Sequence, residues 1–150
     1  KRKKNNQIKI SNKVSTQINK EIKYGLDKFS TFVKFGEKTV NSKNKLISLL
    51  NKLKKRNKKI LGYGATAKST TVLNYCNIGN DLIDCIFDTS KEKIGKLSPG
   101  MHIPILSMDK FCKSDFNISY LFAWNHKNEI FEKEKRYKKN GGQWLCHVKI

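Results

Sequence analysis

The residues most able to do chemistry follow a short apolar run that begins at Ile60. Gly62-Tyr63-Gly64-Ala65-Thr66-Ala67 fits the pattern G-x-G-x-x-A. In such a turn the first glycine permits a tight bend, the second lets a phosphate approach backbone N–H groups, and the last small residue allows a helix to pack closely on a strand. A helix that starts here offers unsatisfied N–H donors, so the turn predicts an anion-binding site.

Two charged residues are placed to complete this site. Lys68 can pair with a diphosphate, although a lysine in so Lys-rich a chain is commonly solvated. Asp88 ends the next apolar run, where it can hold a ribose hydroxyl or instead cap its own loop. The turn also runs into Lys68-Ser69 as a Walker A loop does, but Ala67 occupies the place of the required glycine, which excludes an NTPase.

Two asparagines extend the candidate site. Asn74 lies on the helix predicted after the turn, where it can bond to a ligand or to a neighbouring loop. Asn125 follows a predicted strand at its carboxyl end, the side on which ligands bind in parallel sheets. His126 has the chemistry for proton transfer but no identifiable partner in the sequence, so we interpret it, like His102, as a structural residue.

The apolar pattern supplies the elements that position these residues. It predicts strands at 60–65, 82–88, 103–106, 118–124 and 144–148, and helices at 66–75 and 128–139. The run over 82–88 is almost continuously apolar, which is typical of a strand that is buried in a parallel sheet. The alternation predicts an α/β fold, a Rossmann-like three-layer sandwich with a mostly parallel sheet, over residues 58–150.

Two helices are predicted ahead of this domain, which makes residues 13–57 a helical lead-in. Apolar residues recur at helical spacing over 14–33, where Gly25 weakens the helix without forbidding it. A second helix is predicted over 40–55. Residues 1–12 carry few apolar anchors, and we expect an extended or disordered lead there.

Charge alone suggests an anionic partner. The 150-residue chain has 32 Lys and Arg against 12 Asp and Glu, a formal net charge of +20. The excess is almost all lysine and runs from end to end, so we interpret it as a compositional bias and a solvated basic surface. A specific nucleic-acid interface would combine arginines with interleaved aromatics, and none is predicted.

The sequence also disfavours a membrane-spanning protein and a metal site. No apolar run approaches the ~20 residues that span a bilayer, and the first residues are basic and polar, so we expect a soluble, cytoplasmic protein. The four cysteines stand singly, with no CxxC pair and no histidine at metal-ligand spacing, so no zinc site is predicted. Cys85 and Cys146 lie in apolar runs as small core residues do.

Six segments together resemble the C-terminal domain of S-adenosylmethionine-dependent sugar C-methyltransferases. They are residues 62–69, 73–76, 87–95, 98–105, 123–125 with 129–130, and 141–142. The helical lead-in also has a counterpart in that family, so the resemblance covers most of the chain. Thr66 stands where the family often has proline, and Ser69 where it often has glycine, which affects the fine shape of the loop rather than its course.

The resemblance implies a domain that holds a nucleotide-linked keto-deoxysugar, commonly dTDP-linked, against a methyltransferase domain. In that chemistry a base removes a proton beside the ketone, and the enolate attacks the methyl group of S-adenosylmethionine. The family's general base, methyl-donor loop and zinc cysteines belong to upstream domains. We therefore expect this chain to be a fragment that has no catalytic residue, metal or cofactor of its own, is inactive alone, and partners an upstream S-adenosylmethionine-binding domain.

Two other functions stay open at this level. One is a stand-alone nucleotide- or dinucleotide-binding module of the NAD type, in which Asp88 would hold an adenosine ribose. The other is a basic nucleic-acid binder, which would have to keep its affinity at ~0.2 M salt.

Overall fold

A computed structural model describes residues 11–113 and 118–148, except for the side chains of Cys112 and Lys113. Residues 1–10 of the predicted lead lie outside this range. The chain divides into two compact units, residues 1–41 and 42–150. None of the described helices is long and apolar enough to cross a membrane.

The first unit contains helix α1 (Asn12–Lys23) and the start of helix α2 (Phe29–Lys55). The prediction of one continuous helix over 14–33 is wrong, and so is the predicted start of the second helix near residue 40. Gly25 adopts a left-handed conformation with φ of +72°, which ends the first helix. The predicted end of the second helix at Lys55 is confirmed.

The second unit contains a five-stranded sheet in which all strands are parallel. The strands are β1 (Ile60–Tyr63), β2 (Cys85–Asp88), β3 (Ile105–Ser107), β4 (Ile118–Leu121) and β5 (Gln143–Leu145), in the spatial order β3-β2-β1-β4-β5. The predicted Rossmann-like α/β fold is confirmed. The strand order reverses between β1 and β4, and such a switch point opens a crevice at the carboxyl ends of the strands.

Helices and side chains cover both faces of this sheet. On one face residues 42–55 of α2 and helix α3 (Ala67–Cys76) bury Leu46, Leu50 and Leu73. On the other face helices α4 (Lys127–Lys133) and α5 (Lys135–Lys139) cover an aromatic cluster, which comprises Tyr63, Phe87, Phe111, Tyr137 and Trp144. The sandwich thus has three layers.

The predicted helix over 128–139 is divided at Glu134. This residue leaves helical geometry with φ of −99° and ψ of 29°, and only 5% of it is exposed. Its carboxylate accepts a hydrogen bond of 2.9 Å from the hydroxyl of Tyr63. A buried carboxylate needs such a partner, and the charged pattern of the helix gave no sign that one residue turns inward.

The run over 118–124 also ends earlier than predicted. The strand stops at Leu121, and Trp124–His126 form a single turn of 3-10 helix. Asn125 and His126 therefore lie on a turn after the carboxyl end of β4 and not on the strand.

Gly62 lies inside β1, where it has a packing role. A Cβ at this position would lie 2.7 Å from Cε2 of Phe122 and 3.0 Å from Cγ1 of Ile86. We therefore expect Gly62→Ala to lower the free energy of unfolding by about 1–3 kcal/mol, measured by urea denaturation. The control is Gly36→Ala in α2, where nothing lies within 4 Å and alanine should stabilise the helix by ~0.5–1 kcal/mol. A stabilised Gly62→Ala variant would contradict this packing.

Candidate functional site

A cleft of about 340 Å³ opens at the carboxyl ends of β1, β2 and β4. It is called the first cleft below, and it is lined by Tyr63, Gly64, Thr66, Asp88, Thr89, Met108, Ala123, His126, Glu129, Ile130 and Lys133. The volume lies in the range that binds small molecules. The cleft sits at the switch point of the strand order, where open parallel sheets bind ligands.

The glycine-rich loop forms one wall of this cleft. Gly64 has φ of +91°, a conformation that favours glycine, and its N–H donates to the carbonyl of Phe87 at 2.8 Å. Ala123, which follows β4, approaches the loop so closely that a Cβ on Gly64 would lie 3.3 Å from it. The loop is therefore held against the ends of both neighbouring strands.

Helix α3 begins at the end of this loop. Thr66 is its N-cap, and the Thr66 hydroxyl oxygen accepts a hydrogen bond of 3.2 Å from the N–H of Ser69. The carbonyl of Thr66 accepts from Thr70 at 3.1 Å. The N–H groups of Ala67 and Lys68 have no acceptor within the helix, so they face its mouth at the positive end of the helix dipole.

Asp88 and Lys93 clamp the peptide groups of the loop. The carboxylate of Asp88 accepts from the N–H of Ala65 at 2.7 Å and from the N–H of Ser90 at 2.8 Å. The ammonium of Lys93 donates to the carbonyl of Ala65 at 2.8 Å and lies 3.6 Å from Asp88. Asp88 thus makes the capping contacts that the sequence left open, and it fixes the shape of the loop.

Eight residues are predicted from the sequence to bind substrate: Gly62, Tyr63, Gly64, Ala65, Lys68, Asn74, Asp88 and Asn125. The structure brings some of them together and separates others. Tyr63, Gly64 and Asp88 line the first cleft, and Ala65 is held by the clamp beside it. The ammonium of Lys68 lies 5.7 Å from the centroid of the Trp124 ring. Trp124 lies on the turn after β4 between Ala123 and His126, which line the first cleft. Lys68 is thus within reach of the cleft mouth.

Five of the eight residues do not line the first cleft: Ala65 and Lys68, whose contacts are given above, and Gly62, Asn74 and Asn125. Gly62 is buried within β1. The amide nitrogen of Asn74 donates to the carbonyls of Thr70 at 2.8 Å and Pro99 at 3.0 Å, so it joins α3 to the loop at Pro99. Asn125 lies exposed on the turn after β4, next to the histidine that does line the cleft.

The polar lining of the first cleft is not predicted as a site: His126 is interpreted as structural, and Glu129 and Lys133 are not among the candidate residues. All three residues line the cleft. They are spaced by three and four residues, which places them on one face of α4 and its preceding turn. That spacing, beginning just after a strand end, is the signal that could have identified them.

A second cleft of about 360 Å³ lies on the other side of Thr66, which lines both clefts. Its lining is Ala65, Thr66, Ala67, Ser69, Thr70, Glu92, Lys93, Lys96, Leu97, Ser98, Pro99 and Ile105. The first turn of α3 forms one wall, and the segment 92–99 forms the other.

The described thiols are suited to the core rather than to chemistry. Burial, and to a smaller extent Asp84, raises the pKa of Cys85 to about 11. Burial also raises the pKa of Cys76, against the influence of Lys43, and that of Cys146. Among residues 11–113 and 118–148, no group of three or more His, Cys, Asp or Glu side chains could hold a metal ion.

His147 supports the Trp124 end of the site. Its ring meets the Trp124 ring edge-on at 4.8 Å, and its Nδ1 is hydrogen-bonded to the Tyr120 hydroxyl. Burial lowers the pKa of His147 from 6.5, so the folded state favours the neutral ring. This contribution to stability is fully present above the unfolded pKa, and it is lost as the pH falls from there through the lower pKa of the folded state.

We therefore expect the free energy of unfolding to decrease as the pH falls below about 6.5, the ordinary pKa of histidine. His147→Gln should flatten this part of the profile, whereas the same change at the exposed His102 should leave it intact. Urea denaturation at each pH measures both. Equal profiles for wild type and His147→Gln would show that His147 does not contribute.

Comparison with known proteins identifies the family. A family model described as the C-methyltransferase C-terminal domain matches residues 1–148. The chain belongs to this family. The C-methyltransferase NovU of Streptomyces niveus is 35% identical to it over 91 residues, which are 61% of this chain and 22% of NovU. The match thus spans less than a quarter of that relative's length.

Family membership confirms the resemblance drawn from the six sequence segments. In this C-methyltransferase C-terminal domain, the glycine-rich loop is the edge of a cleft with a histidine, a lysine and carboxylates in its lining. Such a lining can hydrogen-bond a polyhydroxylated ligand, and the helix mouth beside it can hold an anion.

Proposed function

We propose that the first cleft binds a nucleotide-linked sugar, commonly a dTDP-linked keto-deoxysugar, as the substrate of a sugar C-methyltransferase. The observation that carries the proposal is the position of the cleft, at the switch point of the sheet and beside the open N-terminus of α3. Membership of the C-methyltransferase family supports it.

The parts of the cleft have separate roles in this proposal. The N–H groups of Ala67 and Lys68 hold the diphosphate, and the Lys68 ammonium leaves the Trp124 ring to pair with it. The polar groups that line the cleft, with His126 among them, hydrogen-bond the sugar hydroxyls. The chain's own residues thus bind and orient the sugar for a reaction at a neighbouring carbon.

S-adenosylmethionine is the methyl donor that we propose for the whole enzyme, bound by another part of it. We do not assign the first cleft to this cofactor, because the acid at the end of β2, the usual position for holding an adenosyl ribose, is Asp88. Its carboxylate already accepts from the N–H groups of Ala65 and Ser90. By itself the chain is expected to catalyse no methyl transfer. The same contacts weigh against a dinucleotide module of the NAD type.

Titration calorimetry with dTDP-glucose tests the proposal at ~0.2 M salt, where non-specific attraction to the basic surface is weakened. Wild-type protein should bind the nucleotide sugar and should not bind inorganic pyrophosphate with equal affinity. His126→Asn should weaken binding about three- to ten-fold, the cost of one hydrogen bond. His102→Asn is the matched control, because His102 is exposed and is not among the residues that line either cleft.

Two results would count against this function. One is the same affinity for pyrophosphate as for dTDP-glucose, which would show that binding depends on charge alone. The other is the same loss of affinity in both histidine variants, because that loss would not arise in the first cleft.

A further inference from the structure

We propose that the second cleft binds the nucleoside half of the ligand whose sugar occupies the first cleft. This inference rests on the proposed function and goes beyond it, because it assigns a separate site to each half of the ligand. The two clefts meet at Thr66, so a diphosphate that crosses this residue joins them past the mouth of α3.

The chemistry of the second cleft suits a nucleobase and its pentose. Leu97 is 55% exposed, more than any other large apolar side chain in the described part of residues 42–150. Leu97, Pro99 and Ile105 give the cleft an apolar surface. A nucleobase has two flat faces without hydrogen-bonding groups. Moving such a face from water onto an apolar surface lowers the free energy.

The backbone that carries Leu97 is fixed. The carbonyl of Lys96 accepts from the N–H of Ile105 at 2.9 Å, and a β-bridge joins Leu97 to Pro104. Ser98 is buried, and its hydroxyl oxygen accepts from the N–H of Ile103 at 3.0 Å. The apolar rim is therefore formed before a ligand arrives, which limits the entropy that binding would cost.

The charged side chains that line the second cleft are mainly basic. Lys93 and Lys96 line it with one carboxylate, that of Glu92, which is hydrogen-bonded by the Ser90 hydroxyl at 2.9 Å. Lys93 is engaged by the clamp on Ala65, whereas Lys96 lies on the exposed side. Lys96 is thus placed to attract the phosphate that follows the nucleoside.

The test compares dTDP, which has no sugar, with dTDP-glucose. Leu97→Asp and Lys96→Ala in the second cleft should weaken both ligands by the same factor, about ten-fold for Leu97→Asp. His126→Asn in the first cleft should weaken dTDP-glucose and leave dTDP unchanged. The matched controls are Leu26→Asp, at a residue that is 47% exposed, and Lys91→Ala, because neither residue lines the first or the second cleft.

The outcomes separate this inference from the proposed function. If Leu97→Asp and Lys96→Ala bind both ligands as wild type does while His126→Asn weakens dTDP-glucose, the second cleft is not the nucleoside site and the proposed function stands. If His126→Asn weakens dTDP as much as dTDP-glucose, the assignment of halves is overturned. If wild-type protein binds neither ligand, the proposed function itself fails. Lys96→Ala keeps the test valid if Leu97→Asp does not fold.

Discussion

Phe111→Ala is expected to lower the free energy of unfolding by about 3–5 kcal/mol, the usual cost of deleting a buried aromatic ring. Phe111 is only 1% exposed. Its ring centroid lies 4.8 Å from that of Tyr137, 5.1 Å from that of Tyr63 and 5.7 Å from that of Phe87. Removing the ring leaves a cavity between the sheet and the helices that cover it.

Urea denaturation followed by circular dichroism measures the loss. The matched control is Phe35→Ala, because Phe35 is 69% exposed and the same truncation there should change stability by no more than ~0.5 kcal/mol. Similar losses in the two variants would contradict the role of Phe111 as the centre of the aromatic cluster.

Asp88→Ala is expected to have the largest effect on the site itself, a destabilisation of about 2–4 kcal/mol together with weaker ligand binding. The change removes the acceptor for the N–H groups of Ala65 and Ser90, and it leaves Lys93 without its carboxylate. Two partly buried donors then lack a partner, and the loop loses the clamp that holds its shape.

Denaturation and dTDP-glucose titration of Asp88→Ala measure these two effects. For the denaturation, Glu92→Ala is the matched control, since it removes the same charge from the same segment at an exposed position. It should leave the midpoint of urea unfolding nearly unchanged. For the titration the control is Asp27→Ala, because Asp27 is exposed and lines neither cleft. If Asp88→Ala unfolds at the same urea concentration as Glu92→Ala, the clamp does not stabilise the loop.

The sheet could be predicted from the sequence because its signal is local. Each strand is a short apolar run, and strands buried on both faces lack the polar alternation that marks an exposed sheet. The helix boundaries were less predictable. Gly25 is compatible with a weak helix or a left-handed end, and only the fold selects between them.

The site was predictable at its loop and less so in its lining. G-x-G-x-x-A led to Gly64 and to the helix mouth, because that pattern encodes backbone geometry. The role of Asp88 depends on where Ala65 and Lys93 lie after folding, which spacing along the chain does not reveal. Glu129 and Lys133 lie at helical spacing after His126 in the sequence, but only the packing of α4 on the sheet places these side chains in one cleft with Tyr63 and Asp88.

The most direct test of the central claim is an NMR titration of the amide resonances with dTDP-glucose at ~0.2 M salt. A ligand in the first cleft should shift the amides of Gly64, Thr66, Thr89 and His126 together, along one saturable curve. Shifts confined to the lysine-rich helices, with those four amides unmoved at saturation, would contradict the claim.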